Sequence, residues 1–165
     1  MRHFTLTRIR QAFPKFNVKP VTEADFWRAC KKFRVIVKQL PLTVDGYHER
    51  RRGRYYILIN SRLRGEKWLH TALHEFCHFL FDVPSSSEAN YVLYRRGQDF
   101  DEFGEPILNE DDKDDPREQF ADAFATICLM PFPELVRLAK EDISDCPELL
   151  RLCMDRLYVR ADFGL

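Results

Sequence analysis

The chain has 165 residues, of which 45% are hydrophobic and 13% aromatic, and it carries equal numbers of acidic and basic side chains. This size and composition fit one compact domain with a substantial core, and they argue against a disordered chain. No apolar run approaches the ~20 residues that cross a bilayer, and the N-terminal residues show no signal-peptide pattern. We therefore expect a cytoplasmic protein that does not bind a membrane.

The charges are unevenly distributed along the chain. Residues 1–70 hold 17 Lys/Arg and 5 Asp/Glu, whereas the remainder holds 9 and 21. A basic half can indicate affinity for nucleic acid. No nucleic-acid-binding motif accompanies the basic half. We therefore favour one of two simpler explanations for the uneven charge: the two halves fold against each other, or the charges solvate two faces of the molecule. Direct nucleic-acid binding is not expected.

The five cysteines form no CxxC pair and are odd in number, which argues against a disulfide framework or a cysteine-based zinc ribbon. Cys77 and Cys128 each lie in an apolar run, where a reduced cysteine packs as a small hydrophobic residue. We predict that both belong to the core.

The first half of the chain predicts one helix followed by three strands. Residues 22–33 are amphipathic and begin with Thr22 as a helix cap. Residues 34–38, 44–51 and 54–60 have the composition of strands, and Arg52-Gly53 suits the turn between the last two. The candidate buried side of the helix comprises Phe26, Trp27, Ala29, Cys30 and Phe33. No convincing helix-turn-helix is found in residues 1–40.

Helical spacing begins at residue 66 and continues to residue 81, with apolar side chains recurring every three or four positions. Pro84 lies just beyond its end. Residues 85–115 have little periodicity, and the part from 99 to 115 holds nine acidic residues against one Lys. This acidic stretch is predicted to be a solvated loop or insertion. The segment NEDDKDDPRE lacks the loop glycine and the alternating pattern of a calcium-binding EF-hand loop.

Three further helices are predicted over residues 116–130, 133–140 and 147–158. The first begins with Asp115 as N-cap, Pro116 as its first residue and Glu118 at the third position of a capping box. The element order predicts a single α+β domain over residues 1–165. We expect a small, mostly antiparallel three-stranded sheet packed on helices, with an HExxH active-site helix and a second ligand-bearing helix.

The segment HEFCH carries the chemistry. His74 and His78 lie four residues apart on a helix and therefore share one face, a spacing that lets two imidazoles bind one Zn²⁺. Glu75 points sideways from that pair and is expected to act as the general base on a water molecule at the metal. Structural histidines are the alternative, but each would need its own hydrogen-bond partner in an apolar helix.

A catalytic zinc site needs a third protein ligand. Glu118 is the best candidate, with His3, His48 and His70 as alternatives, and its position also fits a capping-box residue. Asp122 lies four residues further along the same helix face and could accept the free ring N–H of a zinc-bound histidine. The alternative for Asp122 is an exposed helical charge, but its apolar neighbours predict a half-buried, partnered carboxylate.

The sequence resembles the ImmA/IrrE metallopeptidases. The resemblance rests on GYHERRRGRYYILINSRLRGEKWLHTALHEFCHFLF and on a later E-x-x-x-D-A-F-A-x-x-x-L-M-P, within a matching core of about residues 42–133. It implies His74, His78 and Glu118 as zinc ligands and Glu75 as base. Where the family often has Asn, this chain has Asp122. The 39 residues between His78 and Glu118 exceed the usual gap.

The resemblance also implies a substrate class, namely DNA-binding repressors or antitoxin-like proteins, in a bacterial or mobile-element setting. The expected reaction is hydrolysis of a peptide bond, with His70, Tyr91 or Tyr94 as candidate donors to the developing oxyanion. A substrate strand could add to the edge of the sheet. The rival interpretation is a catalytically silent or partner-activated regulatory module that retains the zinc site.

Overall fold

The computed structural model describes residues 2–82, 91–93 and 115–159, and these residues form an α+β fold. Helices and strands occur in the predicted order, with one additional helix at the start and one additional short strand. The helices of the described part are α1 (Arg2–Ala12), α2 (Glu23–Phe33), α3 (Gly65–Phe81), α4 (Pro116–Leu129), α5 (Phe132–Leu138) and α6 (Pro147–Tyr158). The strands are β1 (Val35–Leu40), β2 (Gly46–Arg51), β3 (Arg54–Asn60) and β4 (Tyr91–Leu93).

The sheet is mixed and has the strand order β1-β3-β2-β4. β3 is parallel to β1 and antiparallel to β2, and β4 pairs antiparallel with β2. The three predicted strands are present, but the expectation of a mostly antiparallel three-stranded sheet needs correction. β3 inserts between β1 and β2, which creates a parallel pair, and β4 lies in a stretch predicted to be loop. Of the acidic stretch over residues 99–115, Asp115 is described and the other residues lie outside the described part of the chain.

Asn60, at the end of β3, fixes the connection between β1 and β2. Its side-chain amide donates to the carbonyls of Leu42 and Val44 at 2.8 and 3.2 Å, and its backbone N–H donates to that of Asp45 at 2.8 Å. These bonds satisfy the carbonyls of the short loop that carries the chain past β3. The loop therefore holds β2 in place beside α3.

The predicted turn at Arg52-Gly53 is confirmed. Both residues have positive φ, 51° and 72°, as a two-residue type I′ hairpin turn requires. Arg51 pairs with Arg54 across it, so the turn sets the register of β2 against β3.

Helix α2 begins as predicted, since Thr22 and Asp25 form a reciprocal capping box. Phe26, Ala29 and Cys30 are buried, but Trp27 is 43% exposed, so its assignment to the buried side was wrong. The indole N–H of Trp27 donates to Glu23 one turn earlier at 3.1 Å, which satisfies it at the surface. Helix α1 was not predicted, because its mostly polar sequence shows little of the amphipathic periodicity that marks a helix.

The core lies between the sheet and the helices and is rich in aromatic rings. Phe76 of α3 contacts Phe13 and Phe26 with ring centroids 5.5 and 6.0 Å apart, and Phe124 of α4 stacks on Phe16 at 5.6 Å. Cys77 and Cys128 are buried free thiols, as predicted. This packing fixes α3 against α4, which is the arrangement that builds the site.

Helices α5 and α6 enclose a small second cluster around Met130 and Leu138. Leu152 and Cys153 of α6 are buried there, whereas Leu150 and Leu157 are exposed. No helix in the described ranges combines the length and the apolar character needed to cross a membrane.

Candidate metal centre

The HEFCH segment lies in the middle of α3, where all of its residues are buried. The four-residue spacing places His74 and His78 one turn apart on the same face. Their Nε2 atoms are 3.0 Å apart. Two imidazole nitrogens therefore point at one shared position beside the helix.

Helix α4 brings a carboxylate to the same position. Glu118 Oε2 lies 3.1 Å from His74 Nε2, and Glu118 Oε1 lies 3.2 Å from His78 Nε2. The N-terminus of α4 is capped by Asp115, whose side chain accepts from the Arg117 N–H at 2.8 Å. Among the described residues, His74, His78 and Glu118 form a group that could hold a metal ion.

Each histidine of this group has a carboxylate on its other ring nitrogen. His74 Nδ1 donates to Asp122 at 2.7 Å, and His78 Nδ1 donates to Asp82 at 2.6 Å. Because the Nδ1 atoms carry the protons, the lone pairs of the neutral rings lie on Nε2 and face the shared position. The two carboxylates thus select the tautomer that a metal ligand needs.

Asp122 contacts His74, the partner that was predicted for it. The prediction that Asp122 is half-buried was wrong, since its side chain is 61% exposed. The apolar residues around it in sequence face inward, while Asp122 reaches His74 from the rim of α4. Asp82 was missed by sequence reasoning. Its spacing of four from His78 was a usable signal, but Asp82 follows the last residue of α3 as its C-cap.

Glu75 is buried between α3 and β2. Its Oε2 accepts a hydrogen bond from His48 Nδ1 at 3.1 Å, and the His48 ring stacks on His78 with centroids 5.5 Å apart. Burial acts to raise the pKa of Glu75, but the bond to His48 and the nearby histidines lower it below its usual value. Glu75 is therefore held as a carboxylate, the form that a general base requires.

Gly46 allows β2 to approach α3 at this point. A β-carbon on Gly46 would lie 2.8 Å from Thr71 Cγ2 and 3.4 Å from Glu75 Cγ. Gly46 and His48 are two residues apart and both lie on the inward face of β2. The close approach of α3 at Gly46 therefore brings the His48 imidazole to Glu75. His48 had been considered as a metal ligand; its observed partner is Glu75.

Burial and hydrogen bonding act in opposite directions on the pKa values of the cluster, and hydrogen bonding is the stronger effect. Burial acts to lower the pKa of His74, but the bonds to Asp122 and Glu118 outweigh it and raise that pKa to about 9. The same opposition, with Asp82 and Glu118 as partners, raises the pKa of His78 to about 10. For Glu118, burial opposes ionisation, yet its two histidine partners hold the pKa well below the usual range.

A cleft of about 260 Å³ opens beside the cluster. His74, Glu75 and Asp122 line one part of it, and His70 of α3 lies along its wall. Burial lowers the pKa of His70, so the ring is neutral near pH 7 and retains an N–H that can donate. The side chains of His3 and Tyr91, and all of Tyr94, lie outside the described part of the chain.

Comparison with protein-family models, with curated proteins and with solved structures gave no match. The chemical interpretation of the site therefore depends on its own residues and distances.

Proposed function

We propose that the chain is a zinc-dependent metallopeptidase that hydrolyses a peptide bond in a protein substrate. The observation that carries the proposal is the triangle of His74 Nε2, His78 Nε2 and the Glu118 carboxylate, with edges of 3.0–3.2 Å. Glu75 adjoins this triangle on the same helix.

Zinc is the metal we propose, because two imidazoles and one carboxylate are a ligand set of catalytic zinc sites that leave a fourth position open. Ligands at 2.0–2.1 Å in tetrahedral geometry lie about 3.3 Å from one another, which the observed triangle approaches. When bound, zinc would polarise the scissile carbonyl and make a water molecule more acidic.

The residues around the metal position transfer the protons, orient the ligands and stabilise the oxyanion. Glu75 takes a proton from the attacking water and returns it to the leaving amine. His48 occupies Glu75 Oε2 and so orients the other oxygen, Oε1, for that transfer. Asp122 and Asp82 hold the two ligand imidazoles, and His70, on the cleft wall, is our candidate donor to the developing oxyanion.

The substrate is proposed to lie along the sheet. β3 is central, with β1 and β2 on its two sides, so it cannot be the docking edge. Within the described residues β4 pairs only with β2, and β2 carries His48 to Glu75. An extended segment added to β4 would form main-chain hydrogen bonds one strand away from His48.

Membership of the ImmA/IrrE peptidases is part of the proposal, supported by the HEFCH segment and by the Glu118–Pro131 block on a second helix. With it we propose repressor or antitoxin-like substrates. A cytoplasmic location is proposed too, because all five cysteines are free thiols, as is usual in reducing compartments.

The Glu75→Gln substitution tests the enzymatic proposal. An amide in place of the carboxylate should leave the metal content and the fold intact while lowering cleavage by about 10²–10⁴-fold. New protein N-termini would be compared in bacteria expressing the wild-type chain or the variant, with the exposed Glu141→Gln as matched control. Cleavage at the wild-type rate in the Glu75→Gln strain would contradict the enzyme and favour a silent, protein-binding module.

A further inference from the structure

A second cavity, lined by none of the metal-centre residues, lies between the end of α1 and α2. It has a volume of about 400 Å³, within the range of small-molecule sites. One wall is a face of α2 with the one-turn spacing of Asp25, Arg28, Ala29 and Lys32. The other wall is the segment from Gln11 to Thr22, which joins α1 to α2. We refer to it as the α1–α2 pocket.

The floor of the α1–α2 pocket is apolar. Ala12, Phe13, Val21 and Ala29 line it, and all four are buried side chains of the core. Such a floor favours an apolar group of a ligand over water.

The rim, in contrast, is positively charged. Four cationic side chains surround the opening against the single carboxylate of Asp25: Lys15, Lys19, Arg28 and Lys32. Asp25 is already engaged, since its Oδ1 pairs with Arg28 at 2.6 Å and its Oδ2 accepts from Thr22.

Lys15 and Lys19 are the two rim cations left for a ligand. Lys32 donates to the Gln11 carbonyl at 2.7 Å, and Arg28 is held by Asp25. No carboxylate of the described residues forms an ion pair with either Lys15 or Lys19. Both side chains line the pocket, and the Lys19 N–H donates to the Lys15 carbonyl at 3.1 Å, so the two lysines leave the α1–α2 connection at neighbouring points.

From this geometry we infer that the α1–α2 pocket binds a small amphipathic anion, with its apolar body on the Phe13–Ala29 floor and its carboxylate or phosphate at Lys15 and Lys19. The volume accommodates an organic group of roughly 12–15 non-hydrogen atoms. Neither feature alone specifies such a ligand: the floor selects the body, and the rim selects the charge.

The pocket also touches the elements that build the metal centre. The ring of Phe13 lies 5.5 Å from that of Phe76, the residue after Glu75, and 6.0 Å from that of Phe124 in α4. The N–H of Val21 donates to the Cys128 carbonyl of α4 at 2.7 Å. A ligand that shifts the floor would therefore shift α3 relative to α4, on which the separation of Glu118 from the histidines depends. This regulatory role rests on the proposed metal site.

The test uses 1-naphthyl phosphate as probe and isothermal titration calorimetry on the full chain. We expect saturable binding at one site, at least tenfold weaker binding of neutral 1-naphthol and of inorganic phosphate, and weakening by salt. 1-Naphthylacetate in a parallel titration shows whether the rim prefers carboxylate or phosphate. Absence of probe binding, or equal binding of 1-naphthol, would overturn the inference.

Two charge-reversal variants locate the binding. The double variant Lys15→Glu/Lys19→Glu should weaken probe binding at least tenfold, whereas Lys31→Glu, an exposed cation on α2 outside the pocket, should leave it unchanged. Lys15, Lys19 and Lys31 are all exposed. We therefore expect both variants to fold, and thermal melting checks this. Unchanged binding in the double variant would refute the assignment to this pocket.

The regulatory role has its own readout. Zinc affinity is measured by competition with a chromogenic chelator, with and without the probe. Saturating probe should change the zinc affinity of the wild-type chain at least threefold. The same probe concentration should leave the zinc affinity of the double variant unchanged. An unaltered zinc affinity would overturn the coupling. A chain that binds the probe but no zinc would instead refute the proposed metal site, which separates the two failures.

Discussion

At the scale of single residues, the site is defined by which atom of each histidine faces inward. Asp122 and Asp82 occupy the Nδ1 atoms of His74 and His78, and this leaves the Nε2 atoms for a metal. A carboxylate that acts in this way contributes to metal affinity without touching the metal.

We therefore expect Asp122→Ala and Asp82→Ala each to weaken zinc binding, by about 10–100-fold. The loss should be smaller for Asp122, because it is 61% exposed against 20% for Asp82 and water can replace it more easily. Chelator competition would measure both affinities. Asp145→Ala, at an exposed position, is the control and should bind zinc as the wild type does; wild-type affinity in Asp82→Ala would contradict this role.

Local spacing predicted most of this constellation, and the residues it missed show its limit. The intervals 74–78 and 118–122 are helical, so residues that act together are close in sequence and visible as a pattern. The contact of His48 with Glu75 joins a strand to a helix across 27 positions. Nothing in the local sequence specifies such a contact, because it depends on how β2 packs against α3.

At the scale of secondary-structure elements, the site depends on the packing of α3 against α4. These helices carry the histidines and Glu118 respectively, and Phe124 anchors α4 in the core through Phe16 and Phe13. The relative position of the two histidine nitrogens and the Glu118 carboxylate is thus set by apolar contacts between α4 and the core.

Replacing Phe124 by Ala should lower the free energy of unfolding by about 3–5 kcal/mol, since a fully buried aromatic ring is removed and a cavity remains. Urea denaturation would measure the loss. Phe132→Ala is the matched control: Phe132 is 56% exposed, so its removal should change stability by no more than about 0.5 kcal/mol. Equal losses in the two variants would contradict the assigned core.

The elements themselves were largely predictable, but their pairing was not. Residues 54–60 form a short run of Tyr, Ile and Leu that identifies β3, and the residues at the start of α2 identify its cap. The parallel pairing of β1 with β3 leaves no local signature, because it follows from the insertion of a hairpin strand between two others. A three-residue strand such as β4 is too short to show periodicity.

At the scale of the whole molecule, the site links metal binding, proton binding and stability. Without metal, His74 and His78 have pKa values of about 9 and about 10, above the ordinary value of 6.5. The folded state then binds protons that the unfolded state releases. This contribution to stability is complete below pH 6.5 and is lost as the pH rises through the folded-state values.

Between pH 7 and 8.5, the metal-free chain should therefore lose about 2 kcal/mol of stability for each proton held. The zinc-loaded chain should keep nearly constant stability over the same range, because its metal-bound imidazoles hold no protons and the unfolded imidazoles have already released most of theirs. Chemical denaturation with a chelator, and again with zinc, would measure both trends. The upper limit avoids the buried thiols of Cys77 and Cys128, whose pKa values are also raised. Parallel trends in the two samples would contradict the linkage.

The most direct measurement of the central claim is the metal content of the purified chain, compared with that of His74→Ala. A site formed by His74, His78 and Glu118 predicts one zinc ion per wild-type chain and a loss of zinc from the variant, with the fold retained as judged by circular dichroism. Equal metal content in the two proteins, or no metal in the wild type after incubation with zinc, would contradict the account.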